Sequence, residues 1–139
     1  MLTTLLCLVV AIADGDTLTA RCATADGEAT IKVRLAEIDA PEKRQAFGER
    51  SKQHLAELCF QKQAVITPTT RDRYGRTVAR IECEGIDANA AMVRAGMAWA
   101  FTKYLTDPRI ADIEREAREQ NIGLWQDTAP MPPWQWRRK

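Results

Sequence analysis

The sequence of 139 residues contains one histidine, His54, no Cys-x-x-Cys pair, and a net charge of only +1. A zinc site is therefore poorly supported, because zinc sites are built from clustered cysteine and histidine ligands. The apolar run at residues 5–13 is too short to cross a bilayer, and it lacks the basic region and cleavage pattern of a complete signal peptide. The near-neutral charge argues against holding a polyanion by bulk charge, so a polyanion site must be local and built from a few arginines.

Four cysteines are present: Cys7, Cys22, Cys59 and Cys83. One alternative is four buried free thiols, which are common in cytosolic proteins. The other is two disulfides, because Cys7 and Cys22 lie symmetrically about the Asp14-Gly15 turn and the second pair is nearly symmetric about residues 71–74. The disulfide alternative favours an oxidising compartment, so we expect a secreted or periplasmic protein.

Short apolar and alternating segments predict five strands and three helices. The strands are expected at residues 8–12, 17–22, 31–35, 64–66 and 78–83. The helices are expected at residues 47–58, 88–95 and 109–121, with Asp87 as the N-cap of the second and Asp107-Pro108 at the start of the third.

A helix between the third and fourth of five short strands is the pattern of an OB-fold barrel. We therefore expect a mainly β, α+β fold: a five-stranded OB-fold barrel with three α-helices. The length and composition indicate a single domain over residues 1–139. Residues 126–139 are expected to form an extended tail rich in proline and tryptophan.

Two acidic residues are candidate metal ligands: Asp16 after the first turn and Asp39 at the end of the third strand. If those strand ends lie side by side, the carboxylates meet at one rim of the barrel and offer the hard oxygens that Ca²⁺ or Mg²⁺ takes. Glu42 follows a proline turn and can reach the same place. The alternative is that each acid only stabilises a turn.

Two arginines strengthen the case for phosphate chemistry. Arg34 lies five residues before Asp39, and Arg76 closes the loop at residues 72–76. A guanidinium matches pairs of phosphate oxygens and stays charged. A divalent cation, two arginines and a carboxylate acting on water suit phosphodiester hydrolysis. The alternative is that the arginines form weak surface ion pairs.

Three segments carry a resemblance to a known family: Asp14-Gly15-Asp16-Thr17, Arg34-Leu35-Ala36-Glu37-Ile38-Asp39-Ala40-Pro41-Glu42 and Asp72-Arg73-Tyr74-Gly75-Arg76. With further matches at residues 89–98 and 123–125, the chain from Val9 to Trp125 resembles the staphylococcal nuclease (thermonuclease) family. The combination is specific, whereas no single segment is.

The resemblance implies an OB-fold barrel and a Ca²⁺-dependent endonuclease that hydrolyses DNA and RNA with little sequence preference and leaves 3′-phosphate products. It implies that one Ca²⁺ ion is bound by the side chains of Asp16 and Asp39 and by the backbone carbonyl of Ala40. We expect a monomer that needs no protein partner and acts on nucleic acid away from membranes.

The resemblance also implies roles for the remaining residues. Glu42 would act on the attacking water as general base or as its positioner, while Arg34 and Arg76 would hold the scissile phosphate. Nucleotide-binding residues are expected at Arg73, Tyr74 and Tyr104.

The chain departs from the family pattern at Ala40 and at Thr102. Ala40 replaces a threonine of the best-known members, which a main-chain ligand tolerates. Thr102 replaces an aromatic residue that usually stacks on the base, and Phe101 lies beside it. The first departure leaves metal binding intact, whereas the second puts base stacking in doubt.

Two other functions on the same barrel are weighed against the nuclease. A catalytically silent module that binds nucleic acid or protein would lack the acids or arginines, which are all present here. A plain single-strand binder needs aromatic residues across its sheet, but only 6% of the chain is aromatic. The tryptophans at 125, 134 and 136 are expected to cover the core and pin the tail, the alternative being that residues 134–139 extend a nucleic-acid track.

Overall fold

Five strands close into a barrel in the computed structural model, which describes residues 3–138. In chain order the elements are β1 (Leu5–Asp14), β2 (Thr17–Thr24), β3 (Gly27–Leu35), β4 (Ile38–Asp39), α1 (Gly48–Cys59), β5 (Gln63–Arg71), β6 (Thr77–Cys83), β7 (Ile86–Asp87), α2 (Ala88–Arg94), β8 (Trp99–Ala100), α3 (Pro108–Glu119) and α4 (Pro133–Trp136). Two 3₁₀ turns, Thr102–Tyr104 and Gly123–Gln126, flank α3.

The barrel is a mixed sheet in the order β3-β2-β1-β5-β6, closed by a parallel pairing of β3 with β6. Its interior is filled by branched apolar side chains that are fully buried, among them Val9, Leu18, Val33 and Ile66. The predicted α+β OB-fold barrel is therefore confirmed. The short strands β4 and β8 pair with each other outside the barrel, next to its rim.

The strands are longer than the apolar pattern predicts, because backbone pairing continues into polar residues. The clearest case is β5, which passes through Pro68 to Arg71 instead of ending at residue 66. Its register shifts between Pro68 and Thr70, and a proline, which has no N–H to donate, is tolerated at such an irregularity.

The helix caps agree with the sequence. The Asp87 side chain accepts a hydrogen bond from the Ala90 N–H at the start of α2, and the Asp107 side chain accepts one from the Arg109 N–H at the start of α3, with proline in the first turn. The buried Asn89 side chain accepts a hydrogen bond from the Ile81 N–H and donates one to the Ala36 carbonyl. No helix within residues 3–138 is long and apolar enough to cross a membrane.

The sequence predicts an extended tail at residues 126–139, and the part that the structure describes, residues 126–138, contains a helical turn. Pro132 caps a single helical turn, α4, with proline at its first position, the place where a proline costs no backbone hydrogen bond. The ring of Trp134 stacks on Phe101 with centroids 5.4 Å apart and meets Trp99 edge-on at 5.5 Å. The tail is thereby fixed against the barrel, and Lys139 lies outside the described residues.

Glu37 ties the strand that carries Arg34 to the start of α3. Its carboxylate accepts hydrogen bonds from the backbone N–H groups of Thr106 and Asp107, both at 2.6 Å, and pairs with Arg80 at 3.1 Å. Although burial opposes ionisation, these donors hold the pKa of Glu37 below its ordinary value.

The four cysteines form two disulfides, Cys7–Cys22 across paired residues of β1 and β2, and Cys59–Cys83 between the ends of α1 and β6. All four residues are buried. Of the two alternatives that the sequence leaves open, the structure has the bridged one. Both disulfides tie β-strands of the barrel to neighbouring elements.

We expect the denatured, unreduced protein to show no free thiol to an aromatic disulfide reagent and four thiols after reduction. Reduction should lower the free energy of unfolding by about 2–4 kcal/mol per disulfide, because each closes a loop in the unfolded chain. Four thiols in the freshly purified, unreduced protein would contradict the two bridges.

We expect Glu37→Gln to lower the free energy of unfolding at pH 7 by about 1–2 kcal/mol, because the charged acceptor is lost. Since the folded-state pKa lies below the unfolded one, this stabilisation is complete above the unfolded value and disappears as the pH falls through the folded value. The difference between the two proteins in urea denaturation should therefore shrink below about pH 4.5.

The matched control is Glu57→Gln, since Glu57 lies on α1 with its side chain 77% exposed. This variant should leave the free energy of unfolding nearly unchanged both at pH 7 and below about pH 4.5. A Glu37→Gln protein as stable as the parent at pH 7 would show that these hydrogen bonds contribute nothing.

Candidate active site at the barrel rim

The tight turn between β1 and β2 brings Asp16 against the segment that follows β3. A Cβ on Gly15 would lie 2.7 Å from the Ser51 Cβ and 2.8 Å from the Ala40 Cβ, so only glycine allows this approach of the turn to α1. The Asp16 N–H donates to the Asp14 carboxylate at 3.1 Å and so closes the turn. Gly15 of the turn thus packs against Ser51 and Ala40, and Asp14 and Asp16 flank it.

Asp16 is buried and held by fixed donors. One carboxylate oxygen accepts the backbone N–H of Ala40 at 2.7 Å, and the other accepts the Thr17 hydroxyl at 3.0 Å. The contact between Asp16 and Ala40 joins residues 24 positions apart in the sequence, and it fixes the first turn relative to the chain after β4. Ala40 contacts Asp16 through its N–H, so the role of the Ala40 carbonyl as a metal ligand stays a prediction.

Asp39 comes to the same place from β4, where it pairs with Trp99 of β8 and is completely buried. Arg34 lies between the two acids, with its Nη2 3.4 Å from Asp16 and 3.3 Å from Asp39. The structure therefore brings together Asp16, Asp39 and Arg34, as the strand-end argument predicts.

Arg34 makes more internal contacts than a free phosphate ligand would. Its Nη1 donates to the carbonyls of Leu35 at 2.7 Å and Ile38 at 2.9 Å, and its side chain is only 13% exposed. The hydrogen bonds to the two carbonyls fix the turn after β3. The ion pairs with Asp16 and Asp39 balance the charge of those acids. The sequence predicts Arg34 as a phosphate ligand but not this internal role.

Glu42 lies at the open side of the cluster, with a side chain that is 30% exposed. Its backbone carbonyl accepts from the Gln45 N–H at 2.9 Å, and its N–H donates to the Gln45 side chain at 3.1 Å. A Cβ on Gly48 would lie 2.0 Å from the Glu42 carbonyl oxygen, so α1 begins directly against this loop. The short loop is consequently held by backbone contacts at both ends.

An unpredicted residue, Arg137, completes the cluster from the C-terminal tail. Its guanidinium contacts Asp39 at 2.7 and 3.1 Å and Glu42 at 2.5 Å. From the sequence, the tail is predicted only to cover the core or to extend a nucleic-acid binding surface. Arg137 is followed by Arg138 and Lys139, and no periodic or spacing signal distinguishes it from them or assigns it to a site.

Arg76 reaches the same side of the barrel through the pairing that closes it. It directly precedes Thr77, which pairs with Val33, the neighbour of Arg34, in the parallel β3–β6 seam. Its Nε bonds to the Asp72 carboxylate at 2.6 Å, and the same carboxylate accepts the backbone N–H groups of Tyr74 and Arg76. Asp72 thus positions Arg76, and the signal that could have indicated this is the tendency of an aspartate side chain to accept backbone N–H groups within a turn.

The three predicted nucleotide-binding residues are on the surface. Tyr74 is 69% exposed and Tyr104 58% exposed, and Arg73 donates to the Tyr74 hydroxyl at 2.9 Å. Phe101, next to Thr102, has one face stacked on Trp134. No contact among the described residues joins Tyr74 to the acidic cluster, and their roles stay predictions.

Burial is the largest influence on the pKa values of the three aspartates in the cluster, and their charges and hydrogen bonds modify it. Burial and the charge of Asp16 raise the pKa of Asp14 to about 7. Burial raises the pKa of Asp39 above its ordinary value, with Asp16 adding to the effect and Arg137 opposing it. Burial also opposes ionisation of Asp16, but the Arg34 charge and the hydrogen bonds keep its pKa below the ordinary value.

A divalent cation suits this arrangement because it would relieve the repulsion between buried carboxylates. The donors are hard oxygens, the ligands that Ca²⁺ takes. Within residues 3–138, no three His, Cys, Asp or Glu side chains converge in metal-binding geometry. A cation held here by two aspartates would need backbone oxygen and water to complete its shell, and its presence stays a prediction.

Comparisons with known proteins show the family of the chain. A family model described as staphylococcal nuclease homologue matches residues 32–127. An uncharacterized endonuclease of Haemophilus influenzae is 49% identical over 133 residues, covering 96% of this chain and 73% of that protein. A micrococcal nuclease of Shigella flexneri is 43% identical over 141 residues, covering 94% and 79%, and the protein ParB of Escherichia coli is 41% identical over 142 residues, covering 94% and 78%.

Proposed function

Because the chain belongs to the staphylococcal nuclease family, we propose that it is an endonuclease that hydrolyses phosphodiester bonds of DNA and RNA and depends on one Ca²⁺ ion. The observation that carries the proposal is the meeting of Asp16 and Asp39 on one guanidinium, with Glu42 beside them. The names of the relatives, an endonuclease and a micrococcal nuclease, support the same reaction class.

The residues of the cluster divide the chemistry among them. Asp16 and Asp39 would hold the cation through their side chains, and Ala40 through its carbonyl. When bound, Ca²⁺ would supply positive charge to the phosphate oxygens and to the attacking water. The partly exposed Glu42 would accept the proton of that water or orient it, since it lies at the open side of the cluster.

Two arginines would stabilise the extra charge on the equatorial phosphate oxygens. Arg34 keeps its Nη1 on two backbone carbonyls, so its Nη2 can exchange a carboxylate for a phosphate once the acids ligate the cation. Arg76, oriented by Asp72, would donate to the departing 5′ oxygen. Water would then add to phosphorus as the 5′ P–O bond breaks, with its proton passing to Glu42 or to solvent. Arg76 would only hydrogen-bond the departing 5′ oxygen, because arginine stays protonated, so that oxygen would take its proton from solvent water, which leaves a 3′-phosphate and a 5′-hydroxyl.

Tyr74, Tyr104 and Arg73 are proposed as the nucleotide contacts. Their exposure allows a single strand to lie on them, and aromatic rings stack on bases with little sequence preference. We further propose that the protein is a monomer and is secreted or periplasmic. The two disulfides support that compartment, because such bonds persist where the surroundings are oxidising.

The proposal is tested by incubating end-labelled single-stranded DNA and RNA with the protein in Ca²⁺ and in a chelator. We expect degradation of both only with Ca²⁺. Glu42→Gln and Arg76→Ala should each lower the rate by about 10²-fold or more, because each removes a group that acts in the transition state.

Two control variants lie away from the rim: Glu57→Gln on α1 and Arg21→Ala, an exposed residue on β2. Both should cleave at the parental rate. The products should accept a labelled phosphate from polynucleotide kinase without prior phosphatase treatment, since a 3′-phosphate product leaves a 5′-hydroxyl. Degradation in the chelator, or parental rates in Glu42→Gln and Arg76→Ala, would refute the mechanism. No degradation of either substrate with Ca²⁺ would favour a binding module.

A further inference from the structure

The Arg137 guanidinium lies on the two carboxylates that the proposed mechanism needs free. Its Nη2 contacts one oxygen of Asp39 at 2.7 Å and its Nη1 contacts the other at 3.1 Å, which is the two-pronged geometry that makes arginine–carboxylate pairs strong. The same Nη1 contacts Glu42 at 2.5 Å. One side chain thus joins the predicted metal ligand to the predicted water-handling acid.

The position of Arg137 does not depend on those ion pairs alone. Its backbone N–H bonds to the Pro133 carbonyl in the single turn of α4. Trp134 in that turn stacks on Phe101, and the Gln45 side chain donates to the Met131 carbonyl at 2.7 Å. The tail therefore presents its arginine to the rim from an anchored helical turn.

This placement makes arginine and cation compete for the same oxygens. Asp39 is completely buried, so its carboxylate has little access to water and its charge must be balanced from within the protein. Arg34 is shared between Asp39 and Asp16, whereas Arg137 engages both oxygens of Asp39. The Arg137 side chain is 40% exposed, so it can withdraw toward solvent without unpacking the core.

We propose that Arg137 is an internal competitor of the divalent cation, an autoinhibitory contact that occupies Asp39 and Glu42 until the cation displaces it. The inference rests on the proposed metal site of the preceding subsection. In the free protein the guanidinium neutralises the acids and keeps the rim closed. On cation binding, Asp39 exchanges the guanidinium for the ion, and Glu42 becomes free to act on water.

The test is calorimetric titration of CaCl₂ into the parent protein, Arg137→Gln, Arg137→Lys and Arg138→Gln, without substrate. Loss of the competing charge should tighten Ca²⁺ binding by Arg137→Gln about tenfold, the equivalent of about 1.4 kcal/mol. Arg137→Lys, which keeps the charge but loses the two-pronged contact, should lie between that variant and the parent.

The matched control is Arg138→Gln, which removes the same charge from the exposed neighbouring residue. It should bind Ca²⁺ as the parent does, so that a general effect of net charge is separated from competition at the site. Circular dichroism and thermal unfolding establish that each variant is folded.

The possible results separate this inference from the proposed function. Equal affinity of Arg137→Gln and the parent, or weaker binding by Arg137→Gln, would overturn the autoinhibitory contact and leave the metal site standing. Equal tightening by Arg138→Gln and Arg137→Gln would overturn it as well. Absence of Ca²⁺ binding by every variant would instead overturn the proposed metal site on which the inference rests.

Discussion

The candidate site depends on the mutual repulsion of two buried carboxylates that the fold holds together. Asp16 cannot leave, because the Ala40 N–H and the Thr17 hydroxyl fix its oxygens. Asp39 is placed beside it by the pairing of β4 with β8. Buried charges of like sign are costly unless they are compensated, and here Arg34 contacts both carboxylates while Arg137 pairs with Asp39. Such a site favours any further cation that can reach it.

The barrel creates this situation by bringing separate strand ends to one rim. Asp16 comes from the β1–β2 turn, Arg34 and Asp39 flank the bend after β3, and Arg76 precedes β6. The parallel pairing of β3 with β6 places the last of these beside the others along the seam. The close contacts of Gly15 and Gly48 let the first turn and the Glu42 loop pack without intervening side chains. The strand pairing and the close backbone contacts thus determine where the side chains of the site lie.

Much of this could be predicted from the sequence because local signals and the family resemblance agree. Alternating residues indicate the strands, Asp87 and Asp107 cap helices as expected, and the acids near the strand ends indicate the rim. The contacts that escape prediction are made by residues distant in sequence or without a periodic signal. Arg137 reaches Asp39 across 98 residues, and Glu37 reaches the start of α3 through a left-handed turn, with φ of 69°. Neither contact produces a periodic or spacing pattern that a single sequence would show.

The central claim is that the paired acids at the rim bind one divalent cation, and a crystal structure grown with Ca²⁺ tests it most directly. Anomalous scattering locates the ion independently of the protein phases. We expect a single peak within about 2.3–2.6 Å of oxygens from Asp16, Asp39 and the Ala40 backbone, with the Arg137 guanidinium withdrawn from Asp39. A Ca²⁺-loaded crystal in which this position holds no ion, with Arg137 still on Asp39, would contradict it.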